Sequence, residues 1–342
     1  MYACIREGPF ICFPSVDMIG HVITSTNSFV CYGDLVADLV MQIPRLPIVA
    51  DQSQLARSLT VEPGGAGNTL ITAARLGAQA IALGAVGEDA QGNAIYGMLQ
   101  DEGVIMGHAQ RGAGSVNVIV LVFVDEAGQH VFIAHDGTGE PFELGARERE
   151  VIQQAGAFFI PGYSLDEGRM AAAVLPAMQI ALEANVPVMN DLGPIVREAD
   201  LRETALHVVG HSLVTLLTED EAMTFTEQLT PLEAAHALLE IGSRYVILKR
   251  GGRGCAVYDN ERIVEIEGIP VTVLDTTAAG DSFAGGFIVN WLQHGDIVRA
   301  ARFANIVGAA KVQKIGSGRQ CPTREEVNSL LKLRMTKVSV TG

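Results

Sequence analysis

Between Asp275 and Ile288 the chain reads Asp-Thr-Thr-Ala-Ala-Gly-Asp-Ser-Phe-Ala-Gly-Gly-Phe-Ile. The small residues Ala278, Ala279 and Gly280 stand just before a segment of helical character, Asp281 to His294, which Gly295 is suited to stop. Small residues there let successive backbone N–H groups turn inward at a helix N-terminus, where an anion binds. Asp281 then falls in the first turn, beside that anion. A carboxylate competes with phosphate for the positive end of a helix, so stability alone gives no reason to place both. Accepting the proton of a hydroxyl that attacks phosphorus does give one. An Asp that merely caps its helix, with small residues for packing, has about equal weight on spacing alone. A nucleophile elbow on Ser282 fails. Ala284 breaks Gly-x-Ser-x-Gly, and no acidic residue separates Ser282 from His294, the only histidine downstream.

The whole string closely resembles the second signature of the PfkB family, the ribokinase-like carbohydrate and nucleoside kinases. The resemblance implies that Asp281 is the catalytic base and that Ala278, Ala279 and Gly280 form an anion hole. The stretch Pro63-Gly64-Gly65-Ala66-Gly67-Asn68, followed by a helix through Leu76 and by Gly77, Gly84, Gly87, Asp89 and Gly92, resembles the first signature. It implies that Gly64, Gly65 and Asn68 contact a sugar, although Ala66 stands where ribokinases carry a Lys. Gly33 to Asp38 resembles the family's first strand, whose Asp binds substrate hydroxyls. That places the role on Asp38, since a carboxylate can accept from two vicinal hydroxyls.

The resemblance extends to the nucleotide. Thr218-Glu219-Asp220-Glu221 stands where the family has Asn-x-x-Glu, which organises Mg²⁺ and the phosphates. Glu221 fits, acting on Mg²⁺ through water, and Thr218 replaces the Asn. The basic, glycine-rich run Lys249 to Gly254 borders the nucleotide by resemblance, through Lys249, Gly251 and Gly254. A solvated hairpin is the other reading. Asn305 is either an adenine contact or a buried structural amide. Asp275 and Thr277 match the positions of a monovalent cation, K⁺, that would stiffen the anion hole.

The elements that must position these residues follow from the rest of the chain. Short apolar runs at Phe29–Tyr32, Ala157–Ile160, Val186–Met189, Leu213–Leu217 and Tyr245–Leu248 alternate with helical segments such as Asp166–Glu183 and Pro231–Ile241. That alternation predicts a doubly wound, mostly parallel sheet. The resemblance makes it a three-layer α/β/α sandwich with a small β-strand lid, formed by segments near 39–62 and 111–137. The run Ile269–Leu274 reads as one more strand end. Residues 29–334 form the expected kinase domain, preceded by an irregular extension (1–28) or by residues upstream of a natural start near Met18, and followed by a tail (335–342).

Of 342 residues, 24 are basic and 39 acidic, a formal net charge of −15, which argues against nucleic acid or an anionic membrane as partner. Cys4, Cys12, Cys31, Cys255 and Cys321 are scattered and form no Cys-x-x-Cys pair, as expected of reduced thiols in the cytoplasm. His207 and His211 are spaced to share a metal, but with Gly210 between them and no third ligand nearby they read as a surface pair. His135 receives no role.

The expected reaction is transfer of the γ-phosphoryl of ATP to a hydroxyl of a neutral sugar, assisted by Mg²⁺ and, as the resemblance implies, K⁺. Tyr163, in Pro161-Gly162-Tyr163 where ribokinase has a Glu, is placed to stack on the acceptor. A nucleoside acceptor and a catalytically silent sensor are the alternatives, and a homodimer through the lid is the expected assembly.

Overall fold

The computed structural model describes residues 26–165, 169–193, 195 and 198–338. The expected N-terminal extension, with Cys4 and Cys12, lies outside the described residues apart from 26–28. The first part of the expected tail belongs to a final helix, and 339–342 lie outside.

The first apolar run is β1 (Ser28–Tyr32), every residue of which is buried. Phe29 and Cys31 join one hydrophobic core, and Val30 and Tyr32 join another. Such a strand needs cover on both faces, as in a parallel sheet between helical layers. Strands β4 (Gln79–Ala85), β5 (Ile105–Gln110), β8 (Ala157–Pro161), β9 (Val188–Asp191), β10 (Val214–Thr218) and β11 (Tyr245–Lys249) run parallel in the same sheet. Antiparallel β12 (Cys255–Tyr258) and β13 (Ile263–Ile266) complete the order β13-β12-β11-β10-β9-β8-β1-β4-β5.

Helices α1 (Ala66–Arg75), α8 (Ala279–His294) and α9 (Ile297–Lys311) supply Leu70, Phe287, Trp291 and Ala304 to the first core. Helices α4 (Ala171–Glu183), α5 (Arg202–Gly210) and α7 (Pro231–Ile241) supply Met178, Val208 and Leu238 to the second. The result is the expected α/β/α sandwich. The remaining helices are α2 (Ala90–Asp101), α3 (Ala146–Gln153), α6 (Glu219–Thr226) and α10 (Arg324–Val338).

A second sheet of order β3-β2-β6-β7 stands apart from the first. Its strands β2 (Leu35–Gln42), β3 (Ser58–Gly65), β6 (Ile119–Val124) and β7 (His130–His135) come from the two segments near 39–62 and 111–137. Because β2 starts at Leu35, Asp38 lies within this small sheet and not in a loop after β1.

Two expected elements differ. The run Ile269–Leu274 is irregular and not a strand end. Pro270 cannot donate to a ladder, Val273 and Leu274 are exposed, and Leu274 N and Asp275 N both donate to Val312 O instead, at 2.8 and 3.3 Å. The helix expected from Asp166 begins at Ala171, with 166–168 outside the described residues.

Candidate active site

The C-terminal ends of β8, β9, β10 and β11 open toward the N-terminus of α8, the place where open α/β sheets bind ligands. Ala278 is the N-cap of α8 with φ +58°, a left-handed conformation that costs a non-glycine residue about 1 kcal/mol. The Asp275 carboxylate holds the turn before it. Oδ1 accepts from Thr277 N at 2.8 Å and from Thr277 Oγ1 at 2.7 Å, and Oδ2 accepts from Gly316 N at 2.7 Å. Ala279 N turns back to Thr276 O at 3.1 Å. The N–H groups of Ala278, Gly280 and Asp281 have no acceptor among the described residues. A side chain on Gly280 would come within 3.3 Å of Lys249 Nζ, so the ammonium stands at the mouth of this helix. A helix N-terminus and a lysine thus face the same space, a setting for phosphate.

Asp281 sits in the first turn of α8, and its Oδ2 accepts from Asn68 Nδ2 at 2.9 Å. Burial pushes its carboxyl up to about 6. The Asn68 bond and the Lys249 and Lys311 charges pull it down, while Asp191 pushes it up. A carboxylate at that value is ionised at neutral pH yet basic enough to take a proton.

Asn68 belongs to the first turn of α1, whose N-cap Gly65 has φ +50°, and its Oδ1 accepts from Gly318 N at 2.7 Å. Asp38 is buried on β2, and its Oδ2 accepts from Ser317 Oγ at 2.6 Å. Burial raises it to about 7 against that hydrogen bond, with Asp281 and Glu62 adding to the rise. Gly64 is dictated by this carboxylate, since a Cβ there would lie 2.0 Å from Asp38 Oδ1. Asp38, Gly64, Gly65, Asn68 and Asp281 therefore form one connected surface.

The turn 316–318 bonds to Asp275, Asp38 and Asn68 and so joins the turn before α8 to β2 and α1. Next to it, Glu62 on β3 accepts from Arg319 through Nε at 3.0 Å and Nη2 at 2.8 Å. In the sequence, Gly316-Ser317-Gly318 resembles the family's cation loop, without a link from Ser317 to Asp38, and Glu62 and Arg319 were not singled out.

On the nucleotide side, Thr218 caps α6. Its Oγ1 accepts from Glu221 N at 3.2 Å, and Glu221 Oε2 accepts from Thr218 N at 2.7 Å. Thr therefore performs the capping that the expected Asn would perform, and one Glu221 oxygen is committed to it. Lys249 Nζ donates to Asp191 Oδ2 at 2.6 Å. Burial works against the ammonium, but Asp191 and Glu221 outweigh it and hold Lys249 above its ordinary value. Asp191, also missed in the sequence, keeps Oδ1 buried without a hydrogen-bond partner. Burial raises its carboxyl.

Tyr163 projects into this cleft. It is 49% exposed, but burial and then the Asp281, Asp191, Glu221 and Asp38 charges raise its hydroxyl. Gly254 answers to packing, because a Cβ would meet Ile266 O at 2.0 Å, whereas Gly251 has φ +56° beside open space. Asn305 is buried, and its Nδ2 donates to Glu267 O at 2.8 Å, fixing the chain after β13.

Two basic residues near the acceptor side are engaged. Arg169 Nη2 lies 3.1 Å from Asp34 Oδ1, while its buried Nε has no hydrogen-bond partner among the described residues. Arg111 bonds Asn93 and stacks over the Tyr96 ring, 5.2 Å from its centroid. The His207 and His211 rings stack at 4.4 Å, and no group of three candidate metal ligands occurs among the described residues.

The comparisons agree with this geometry. A family model described as pfkB family carbohydrate kinase matches residues 26–324. The chain is 30% identical over 312 residues to the ribokinase of Bacillus subtilis (strain 168), covering 87% of this chain and 97% of that protein. It is 27% identical over 318 residues to a probable chloroplastic fructokinase-6 of Arabidopsis thaliana, covering 88% and 82%. The structure of Arabidopsis thaliana ribokinase complexed with ribose and ATP superposes with a TM-score of 0.77 at 24% identity, over 90% of this chain and 99% of that one. On the family match, and with both signatures folded into one cleft, this chain belongs to the pfkB family and is a carbohydrate kinase.

Proposed function

We propose that the protein transfers the γ-phosphoryl group of ATP to a hydroxyl of a neutral sugar. The observation that carries this reading is the position of Asp281. It bonds Asn68 on the acceptor side, and it starts the helix whose free N–H groups and neighbouring Lys249 face the phosphate side. Asp38 and Asn68 hold the acceptor. Asp281 takes the proton of the attacking hydroxyl as its oxygen bonds to the γ-phosphorus, and the bond to the ADP oxygen breaks. The N–H groups of Ala278 and Gly280, with Lys249, stabilise charge on the transferring group.

Mg²⁺ fits the donors present. The unpartnered Asp191 Oδ1 and the Glu221 oxygen left over from the helix cap would hold it, through water for Glu221. Bound there, it would neutralise phosphate charge. K⁺ at Asp275 and Thr277 does not fit. The Asp275 carboxylate already accepts three hydrogen bonds, and the buried Lys311 is bonded into the turn that wraps it. No step is assigned to K⁺.

A neutral acceptor is favoured because Arg169 is neutralised by Asp34 and Arg111 is engaged on α2. A sugar phosphate or sugar acid would bury a charge without a free partner. Tyr163 offers an aromatic face that suits a sugar or the base of a nucleoside, which keeps a nucleoside as the competing acceptor. The ionisable Asp281 and the free amides argue against a silent sensor.

The small sheet acts as a lid that keeps water from the transferring group. Its face away from Asp38 carries the apolar rows Leu59-Met41-Phe123-Val131 and Val61-Leu39-Leu121-Ile133, in register across all its strands. Leu59, Val131 and Ile133 are exposed. A second copy of the chain is the partner that covers this face. The buried free thiols of Cys31, Cys255 and Cys321 suit a cytoplasmic enzyme, and no helix among the described residues is long and apolar enough to cross a membrane.

The test is a competition assay at saturating ATP with neutral sugars, nucleosides, fructose 6-phosphate and 2-keto-3-deoxygluconate. A neutral sugar should show the highest kcat/KM. Preference for either charged acceptor overturns the neutral-acceptor reading, preference for a nucleoside selects the competing one, and no turnover of any acceptor removes the kinase assignment.

A further inference from the structure

Lys311 is fully buried in the last turn of α9. Lysine is almost never fully buried unless paired. Its Nζ donates to Lys314 O at 3.0 Å, a carbonyl in the turn that leaves the helix. The same turn wraps Asp275: Val312 O accepts from Leu274 N and Asp275 N, and Gly316 N donates to Asp275 Oδ2 at 2.7 Å. Burial lowers the Lys311 ammonium below its ordinary value, and among carboxylates the Asp275 charge opposes this most, followed by Asp281. A buried lysine is therefore already tied, through Lys314 O and the 312–316 backbone, to the turn that wraps Asp275 and leads into Ala278.

We propose that Lys311 is a positioning residue whose ammonium serves in place of a monovalent cation behind the anion hole. It balances the buried Asp275 carboxylate and ties the 312–316 turn to the 275–278 turn. In this way it sets the free N–H groups of Ala278 and Gly280. A K⁺ ion entering the same neighbourhood would meet an ammonium with no route to solvent and a carboxylate whose oxygens are already engaged by donors. Lys311 touches neither reactant. The proposal rests on the phosphoryl-transfer reading for its effect on rate, but not for its effect on the fold.

The experiment compares wild type and Lys311→Met, which keeps an unbranched apolar stem and removes the charge. Tm and kcat are measured in KCl, NaCl and tetramethylammonium chloride at one ionic strength. Wild type should give the same Tm and the same kcat in all three salts. In tetramethylammonium, Lys311→Met should lose about 10²-fold in kcat, the scale of one lost electrostatic contributor at an anion hole, while acceptor KM changes little. K⁺ should then raise both its kcat and its Tm saturably. A saturable K⁺ effect on wild type overturns the proposal. So does a variant with wild-type kcat and Tm in tetramethylammonium, or a defect that no cation changes. If the variant fails to fold, the wild-type series decides. If no acceptor is turned over, the Tm series still reports on the cation, so failure of the kinase reading and failure of this inference remain distinguishable.

Discussion

At the scale of single residues, two carboxylates share the site but are set for different work. Asp281, raised to about 6, is the proposed proton acceptor, and Asp38, raised to about 7, is the proposed partner of the acceptor hydroxyls. A carboxylate raised by burial is protonated below its folded pKa and ionised above it. The base is therefore lost as pH falls, and kcat should climb with pH through about 6, whereas acceptor KM should rise as pH falls through about 7. Asp281→Asn should lower kcat by roughly 10²–10⁴-fold, leave ATP affinity nearly intact, and erase the acid limb of the rate profile. Wild-type turnover in that variant would remove the assignment. Asp281, Asn68 and Asp38 could be singled out in the sequence because each lies in a short signature. Ser317 was not assigned to Asp38 because 279 residues separate them, and no local spacing encodes such a meeting. Asp191 was missed for the same reason, its partner Lys249 lying 58 residues away.

At the scale of elements, local chemistry predicted what local chemistry controls. Helix α7 begins with Thr230 as cap and Pro231 in its first turn, and it ends before Gly242, signals that a sequence displays openly. The apolar run Ile269–Leu274 misled because hydrophobicity alone does not supply a neighbouring strand. Thr218 departs from the family's Asn, yet in the fold it preserves a helix cap. The contact between β3 and the 316–321 turn could not have been read from either element alone. Removing Arg319 would leave the buried Glu62 carboxylate with only the Arg319 backbone N–H, at 3.1 Å. Because the Arg319 side chain is about half exposed, Arg319→Ala should cost only about 1–2 kcal/mol. It should lower Tm by a few degrees and raise acceptor KM more than it lowers kcat. Unchanged Tm and KM would show that the contact holds nothing.

At the scale of the molecule, the parallel sheet was legible from the alternation of strands and helices, and the three-layer sandwich with its small sheet through the family resemblance. The pleat of that sheet assigns its two faces to separate tasks. Phe132 is paired in register with Val122, and through β6 it shares the face of Asp38, whereas Ile133 lies on the opposite face. Ile133→Glu should convert a dimer to a monomer in sedimentation velocity. Phe132→Glu should leave the assembly intact and raise acceptor KM. A monomeric wild type, or a dimer indifferent to Ile133→Glu, would discard the lid as the interface.

The chain visits the small sheet twice. It leaves the large sheet after β1 to make β2 and β3 and returns through α1, then leaves again after β5 to make β6 and β7 and returns through α3. The two hairpins are zipped side by side through the parallel pairing of β2 with β6. Mechanically this is a flap with two leaves, each leaf fastened at both ends to the body. The pairing of β2 with β6 couples the two leaves, so opening over Asp38 must move both, and it must also part Asp38 from Ser317 and Glu62 from Arg319.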